Sequence, residues 1–335
     1  MYSPVFSLCN ISSIARRQRT GLISSYSSST IMADAFYKSH QRHPGLFGDK
    51  FEESWLHPDL KDLVKAFGGS NASFAEDPTK LAPDLLREEA PQVYSFKCLS
   101  PLFLQIFNEE IENFYEITDK YNIPVRRPNS MNKYGVIVNE IGMRPLITSF
   151  QQNYLWPLAR VLFPSEGSQF DDHHSFIVRY RADEDLGLDM HTDDSDVTFN
   201  VCLGHDFVGA TLSFCGMFGA VDHRKWVHTY RHEIGRAILH LGSRRHGADD
   251  IESGMRANLI VWNHNHEYRN SIDYRRTRRS HVLYQKEEGP PDPVCLSYTH
   301  DRDFANFKAV PDSIKEKSTQ AWCPPPGKEY DGFKG

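Results

Sequence analysis

The sequence predicts a mainly β core, a sandwich or barrel of short strands, with helices packed ahead of it. Three observations carry this. Apolar residues recur at helical spacing up to about residue 163. From about residue 173 the pattern switches to alternation. Glycines then punctuate the alternating segments at short intervals, as turns between strands do.

In chain order, residues 1–33 contain no Asp or Glu, carry Arg16, Arg17 and Arg19, and are rich in Ser. That composition reads either as a mitochondrial or plastid transit peptide or as a plain disordered leader. Residues 34–172 form a mostly helical region. Leu56, Leu60, Leu63 and Val64 share one face between Trp55 and Phe67. A longer helix over 101–122 carries the stripe Leu104, Phe107, Ile111, Phe114 and Ile117 and stops before Pro124. Arg126 to Ser130 reads as a loop, and Ile147 to Phe163 as a helix closed by Pro164.

The barrel is expected over residues 173–268. Phe176, Val178 and Tyr180 alternate with Ile177 and Arg179, and Val197, Phe199, Val201 and Leu203 alternate with Thr198, Asn200 and Cys202. Ala210 to Phe214, Arg236 to Leu241 and Arg256 to Trp262 read as further strands, with Gly204, Gly209, Gly216, Gly242 and Gly254 among the turns. The pair His173-His174 opens a strand and reads as a rim feature. Residues 269–335 form a basic and Pro-rich extension. It holds the run Arg275 to Arg279 and the stiff stretch Trp322 to Pro326.

Composition narrows the function. The chain has 38 Lys+Arg against 44 Asp+Glu, a net charge of −6, so there is no global case for nucleic-acid binding. No apolar run reaches the length of a membrane span. The six Cys form no CxxC pair, which excludes the usual Cys-rich zinc modules. Cys202 and Cys215 lie in apolar strands and read as core residues, not redox switches.

His-x-Asp occurs twice, and chance alone supplies roughly one such triplet in a chain of this composition. His57-Pro58-Asp59 sits beside a proline in a helical region and reads as a helix start. His191-Thr192-Asp193 lies between two alternating segments, where residues i and i+2 point to one side. His246, following the apolar strand Ala237 to Leu241, supplies a third ligand and closes a two-His, one-carboxylate triad. Such a set leaves open positions on an ion and is diagnostic of non-haem Fe(II) oxygenases. His240 competes for the third place, but its position inside the apolar strand reads as core. Arg256 follows His246 by ten residues. A guanidinium buried in a barrel needs an anion, and its fork binds a carboxylate bidentately. The far carboxylate of 2-oxoglutarate fits, with the keto-acid end on the iron.

Phe176 to Glu184, His191 to Leu203, His246-Gly247, Ser253 to Arg256 and Ile260 to Trp262 together resemble the catalytic domain of procollagen lysyl hydroxylases. The likeness is stronger to the 2-oxoglutarate and iron-dependent oxygenase domain-containing proteins, an intracellular branch. Arg127-Pro128-Asn129-Ser130-Met131-Asn132 with Tyr134-Gly135 also looks like that branch. The resemblance implies a double-stranded β-helix (jelly roll) with supporting N-terminal helices. It implies His191, Asp193 and His246 as iron ligands, Arg256 as the 2-oxoglutarate ligand, and Tyr180 and Thr198 as further co-substrate contacts. It further implies a dioxygenase using Fe(II), 2-oxoglutarate and O2, with ascorbate as reductant, that hydroxylates a lysyl or prolyl side chain of a protein or peptide. Ser195-Asp196 departs from the collagen enzymes' pattern and points away from collagen as substrate. Two alternatives stand beside this reading: a non-catalytic jelly-roll binding protein, and an oxygenase acting on nucleic acid through Arg275 to Arg279. The expected compartment is the cytoplasm or nucleus, or, with a transit peptide, the mitochondrion or plastid.

Overall fold

Pro58 in the first helical turn and His57 before it start the first helix, α1 (Pro58–Phe67). The His57 side chain accepts the Asp59 N–H at 3.1 Å, so the first His-x-Asp triplet is a helix cap, as the sequence suggests. The computed structural model describes residues 36–69, 77–279, 283–285, 287–297 and 301. The leader over 1–33 and the stretch Trp322 to Pro326 lie outside the described residues.

Ser100 caps the long helix α2 (Pro101–Lys120) by accepting the Phe103 N–H, and Phe103, Phe107, Ile111 and Phe114 form its buried stripe. The helix expected over 147–163 is divided. It runs as α3 (Arg144–Phe150), a π turn (Gln151–Leu155) and α4 (Trp156–Leu162). Pro157 has no N–H to donate to the preceding turn, which explains the break in regular α geometry. Among the described residues, no helix is long and apolar enough to cross a membrane.

The region read as mostly helical also supplies three strands, β1 (Arg87–Ala90), β2 (Val93–Lys97) and β3 (Gly135–Ile137). The barrel strands follow: β4 (Asp172–Arg181), β5 (Leu188–His191), β6 (Val197–Gly204), β7 (Phe207–Gly209), β8 (Leu212–Met217), β9 (Trp226–Tyr230), β10 (Arg236–Leu241), β11 (Arg244–Ala248) and β12 (Ile251–His264). They form two antiparallel sheets. The larger runs β1-β2-β10-β6-β12-β4-β3, with β7 on β12, and the smaller runs β5-β11-β8-β9. Two facing antiparallel sheets with crossovers between non-consecutive strands are the jelly-roll arrangement.

Both faces of the larger sheet are covered. Val197, Phe199, Val201, Leu239, Leu259 and Val261 join the helices in one buried cluster. Phe176, Val178, Ile238 and Ile260 face inward and pack with Leu212 and Phe214 of the smaller sheet. Each such buried side chain contributes about 1.5–3 kcal/mol. The polar residues that alternate with the outer row, Thr198 and Asn200 on β6, therefore face the space between the sheets rather than solvent.

A strap from the C-terminal side crosses the smaller sheet. Cys295 is disulfide-bonded to Cys215 of β8. Arg224 and Arg245, both buried, share the carboxylate of Asp301. Cys215 is a core residue as expected, and it is also disulfide-bonded, which the sequence reading did not foresee. Its partner lies 80 residues away, a separation that no sequence spacing reveals.

His173 is also not at a rim. It is 3% exposed, with its ring held by the Ser175 and Thr148 hydroxyls at 2.7 and 2.9 Å. Burial first, then the nearby Arg144, push its pKa from 6.5 down to about 4, against the opposing charge of Asp172. The unfolded chain therefore binds more protons than the folded one between about pH 6.5 and 4, and His173 removes stability as pH falls through that window. The melting temperature should drop less steeply across this range in His173→Gln than in the parent. Equal slopes would refute the assignment.

Candidate metal centre

The site is built first by strand pairing. β5 lies antiparallel to β11 with His191 directly opposite His246. Their ring centroids are 4.4 Å apart. Each imidazole donates its Nδ1–H to a backbone carbonyl, His191 to Asp189 at 2.8 Å and His246 to Arg244 at 2.9 Å. A carbonyl only accepts, so both tautomers are fixed and both Nε2 lone pairs are left as ligands. Asp193 follows His191 by two residues. Its N–H donates to the Gly242 carbonyl at 2.9 Å. Gly242 is required by close approach: a Cβ there would lie 2.0 Å from the Ser195 carbonyl oxygen.

One ligand atom from each of His191, Asp193 and His246 lies within 4.8 Å of the others. The Asp193 oxygens stand 3.4 Å from His191 Nε2 and 3.7 Å from His246 Nε2. A six-coordinate ion about 2.0–2.2 Å from each ligand needs neighbouring ligands roughly 3 Å apart, so the two Asp193 distances need only a small contraction. The three residues fit a divalent transition metal. The donor set of two imidazoles and one carboxylate leaves three sites free.

The electrostatics favour the same state. Burial alone would raise the Asp193 carboxyl, but His246 and the hydrogen-bonded His191 outweigh it and hold it well below the carboxylate range. Burial pushes His246 down to about 3, against the pull of Asp193. The triad at neutral pH thus presents one anion and neutral His246. Thr198 donates to Asp193 Oδ2 at 2.6 Å and shares a further bond with Ser195. His240, the rival third ligand, packs its ring 4.6 Å from that of His246 and donates Nδ1–H to the Leu241 carbonyl. It is fully buried and lies outside the three-residue group.

The loop after the triad is clamped from beyond the barrel. Arg269 pairs with Asp196 and Asp194, both at 2.9 Å, and Asp196 is buried. Arg278 donates to the Asp193 backbone carbonyl at 3.0 Å and stacks over Phe218. The basic run is therefore not simply a solvated loop.

The pocket runs from the triad along β12 to Arg256. Arg256 is 1% exposed, its Nε and Nη1 have no hydrogen-bond partner, and its guanidinium lies 4.7 Å over the Tyr180 ring. Burial lowers the Arg256 pKa and raises that of Tyr180. The family resemblance implies Tyr180 and Thr198 together as co-substrate contacts. The structure sets Tyr180 beside Arg256 but Thr198 on Asp193, at the metal end, because the strand register puts Thr198 opposite Trp262, six residues past Arg256. Sequence reasoning missed Asn258, Trp262, Arg269 and Arg278 as parts of this site. Alternation could have found the first two, which follow Arg256 at i+2 and i+6 on one strand face.

Residues 37–168 match the model of the OGFOD2-like domain. The human 2-oxoglutarate and iron-dependent oxygenase domain-containing protein 2 is 31% identical over 261 residues, covering 77% of this chain and 71% of that protein. The chain belongs to this family. An Arabidopsis thaliana member, protein ICU11, is 36% identical over 56% of this chain, and the mouse protein 2 is 38% identical over 52%. The alignments span about half of those two relatives, 49% of each. The OGFOD2-like match ends just before β4, so the family's upstream region holds α1 to α4 and the three strands β1 to β3.

Proposed function

We propose that this chain is an Fe(II)- and 2-oxoglutarate-dependent dioxygenase that hydroxylates a C–H bond on a lysyl or prolyl side chain of a protein, with ascorbate keeping the iron reduced. One observation carries it. A complete His191, Asp193 and His246 ligand set and an unpaired, buried Arg256 line the same pocket. Family membership supports the same chemistry.

Bound Fe(II), with 2-oxoglutarate and O2, supplies an oxidant strong enough to take hydrogen from an unactivated carbon. The chain's own residues hold and orient. His191, Asp193 and His246 would carry the metal. Thr198 fixes the Asp193 carboxylate, and the backbone carbonyls of Asp189 and Arg244 fix the imidazoles. Arg256 would meet the distal carboxylate of 2-oxoglutarate, and Tyr180 packs its guanidinium. Phe176, Val178, Leu212 and Ile260 form apolar walls that exclude water.

The non-catalytic alternative is disfavoured by the intact triad. The nucleic-acid alternative loses part of its basis, because Arg278 is engaged with Asp193 and Phe218. The test is conversion of 2-oxoglutarate to succinate by the purified protein with Fe(II) and ascorbate. Turnover is expected in the parent and absent from His191→Ala. Equal turnover in the two would overturn the site.

A further inference from the structure

We infer that Asn132, from the region upstream of the barrel, completes the co-substrate end of the pocket by donating its amide N–H to the distal carboxylate of a 2-oxo dicarboxylic acid, alongside Arg256. This rests on the function proposed above.

The polarity of the Asn129–Asn132 pair is fixed by groups that can only donate. The backbone N–H groups of Met131 and Asn132 both donate to Asn129 Oδ1, at 2.8 and 2.7 Å. The remaining Asn129 Nδ2 donates to Asn132 Oδ1 at 2.9 Å. Asn132 is thus left with its Nδ2 donor, which has no hydrogen-bond partner although the residue is 0% exposed. An unpaired buried donor is costly and rare, and calls for a ligand.

Both asparagines line the pocket. The Asn132 amide stands beside the Tyr180 phenol, and the Arg256 guanidinium lies 4.7 Å over the Tyr180 ring. A carboxylate has about four lone-pair positions and Arg256 fills two, so a third donor is accommodated. Among the described residues lining the pocket, Asp193 at the metal end is the one acid, and the nearest carboxylate charge felt by Arg256, that of Asp249, makes no ion pair with it.

The loop carrying Asn132 is held in place. Asp185 accepts the Lys133 and Tyr134 N–H groups at 2.7 and 3.2 Å, and His174 Nε2 meets the Pro128 carbonyl at 3.1 Å. At Gly135 (φ +141°) a Cβ would sit 2.0 Å from the Ile177 carbonyl oxygen, so only glycine lets this loop lie against β4. The motif Arg127 to Asn132 then has a physical role: it brings the upstream region into the active site.

The test compares two probes, 2-oxoglutarate and 2-oxopentanoate, which lacks the distal carboxylate. Each is titrated anaerobically into Fe(II)-loaded protein and followed by the visible charge-transfer band. Asn132→Ala should weaken 2-oxoglutarate by roughly tenfold or more and leave 2-oxopentanoate unchanged. Asn132→Asp should weaken 2-oxoglutarate further, by repulsion. Asn132→Ser, which keeps a shorter donor, stands in if the alanine variant does not fold. Unchanged 2-oxoglutarate affinity, or equal weakening of both probes, overturns the assignment. Arg256→Met separates this inference from its premise. If that variant keeps the parent's preference for 2-oxoglutarate, the proposed function fails; if it loses the preference while the Asn132 variants do not, only the inference fails.

Discussion

Replacing Asp193 with alanine should abolish both tight divalent-metal binding and 2-oxoglutarate turnover. Asp193 is the sole anion of the triad, is 3% exposed, and touches both imidazoles. Loss of an outer-sphere partner of a metal ligand typically costs roughly 10–100-fold in affinity, so loss of the charged ligand itself should exceed about 100-fold. Asp193→Asn keeps the shape and the Thr198 contact but removes the charge, and should fall close to the alanine variant. Co(II) titration followed in the visible range reads this directly. A parent-like Co(II) affinity in either variant would show that the ion, if bound, sits elsewhere.

Arg256→Met should produce effects of opposite sign on two measurements. Removing one partner of a buried charge pair costs about 2–5 kcal/mol, so 2-oxoglutarate affinity should fall by roughly 30-fold to several thousandfold. The ligand-free protein should be as stable as the parent or more so. There Arg256 is a buried cation with no ion pair among the described residues and two guanidinium nitrogens without a hydrogen-bond partner, and an apolar side chain of similar volume relieves that cost. A variant that loses both affinity and melting temperature would mark Arg256 as structural.

The long strands were legible because each has two different faces. On β6, Val197, Phe199 and Val201 face the helices while Thr198 and Asn200 face the pocket, so alternation appears without either face meeting solvent. β2 shows no such period, since its apolar residues serve both faces: Val93 packs between the sheets while Tyr94 and Phe96 pack with the helices. β1, β3 and β7 span only three or four residues, too few for any period to register. The triad was legible because His191 and Asp193 are local in sequence and Arg256 follows His246 on the next strand. That His246 stands opposite His191 depends on a pairing between strands more than fifty residues apart, which no local pattern encodes. Arg278 was hidden for another reason: a basic run reads the same whether it faces solvent or folds back onto a carbonyl. The role of Asn132 depends on one unpaired N–H, a property of three-dimensional packing alone.

The sheet order has a consequence for how this protein is made. β2 pairs with β10, with Lys97 opposite Arg236, and β10 inserts between β2 and β6. A ribosome adds roughly 5–20 residues per second, so β2 leaves it on the order of ten seconds before its second neighbour exists. During that interval β2 has only the short strand β1 beside it, and Val93 and Phe96 lack their partners from β10. Non-local pairings of this kind close late and leave apolar edges open to other chains. His246 also emerges well after His191, so metal capture follows synthesis of nearly the whole barrel. A nascent chain of this design carries an exposed apolar strand until β10 is made, and its His191, Asp193 and His246 ligand set is complete only once β11 has followed.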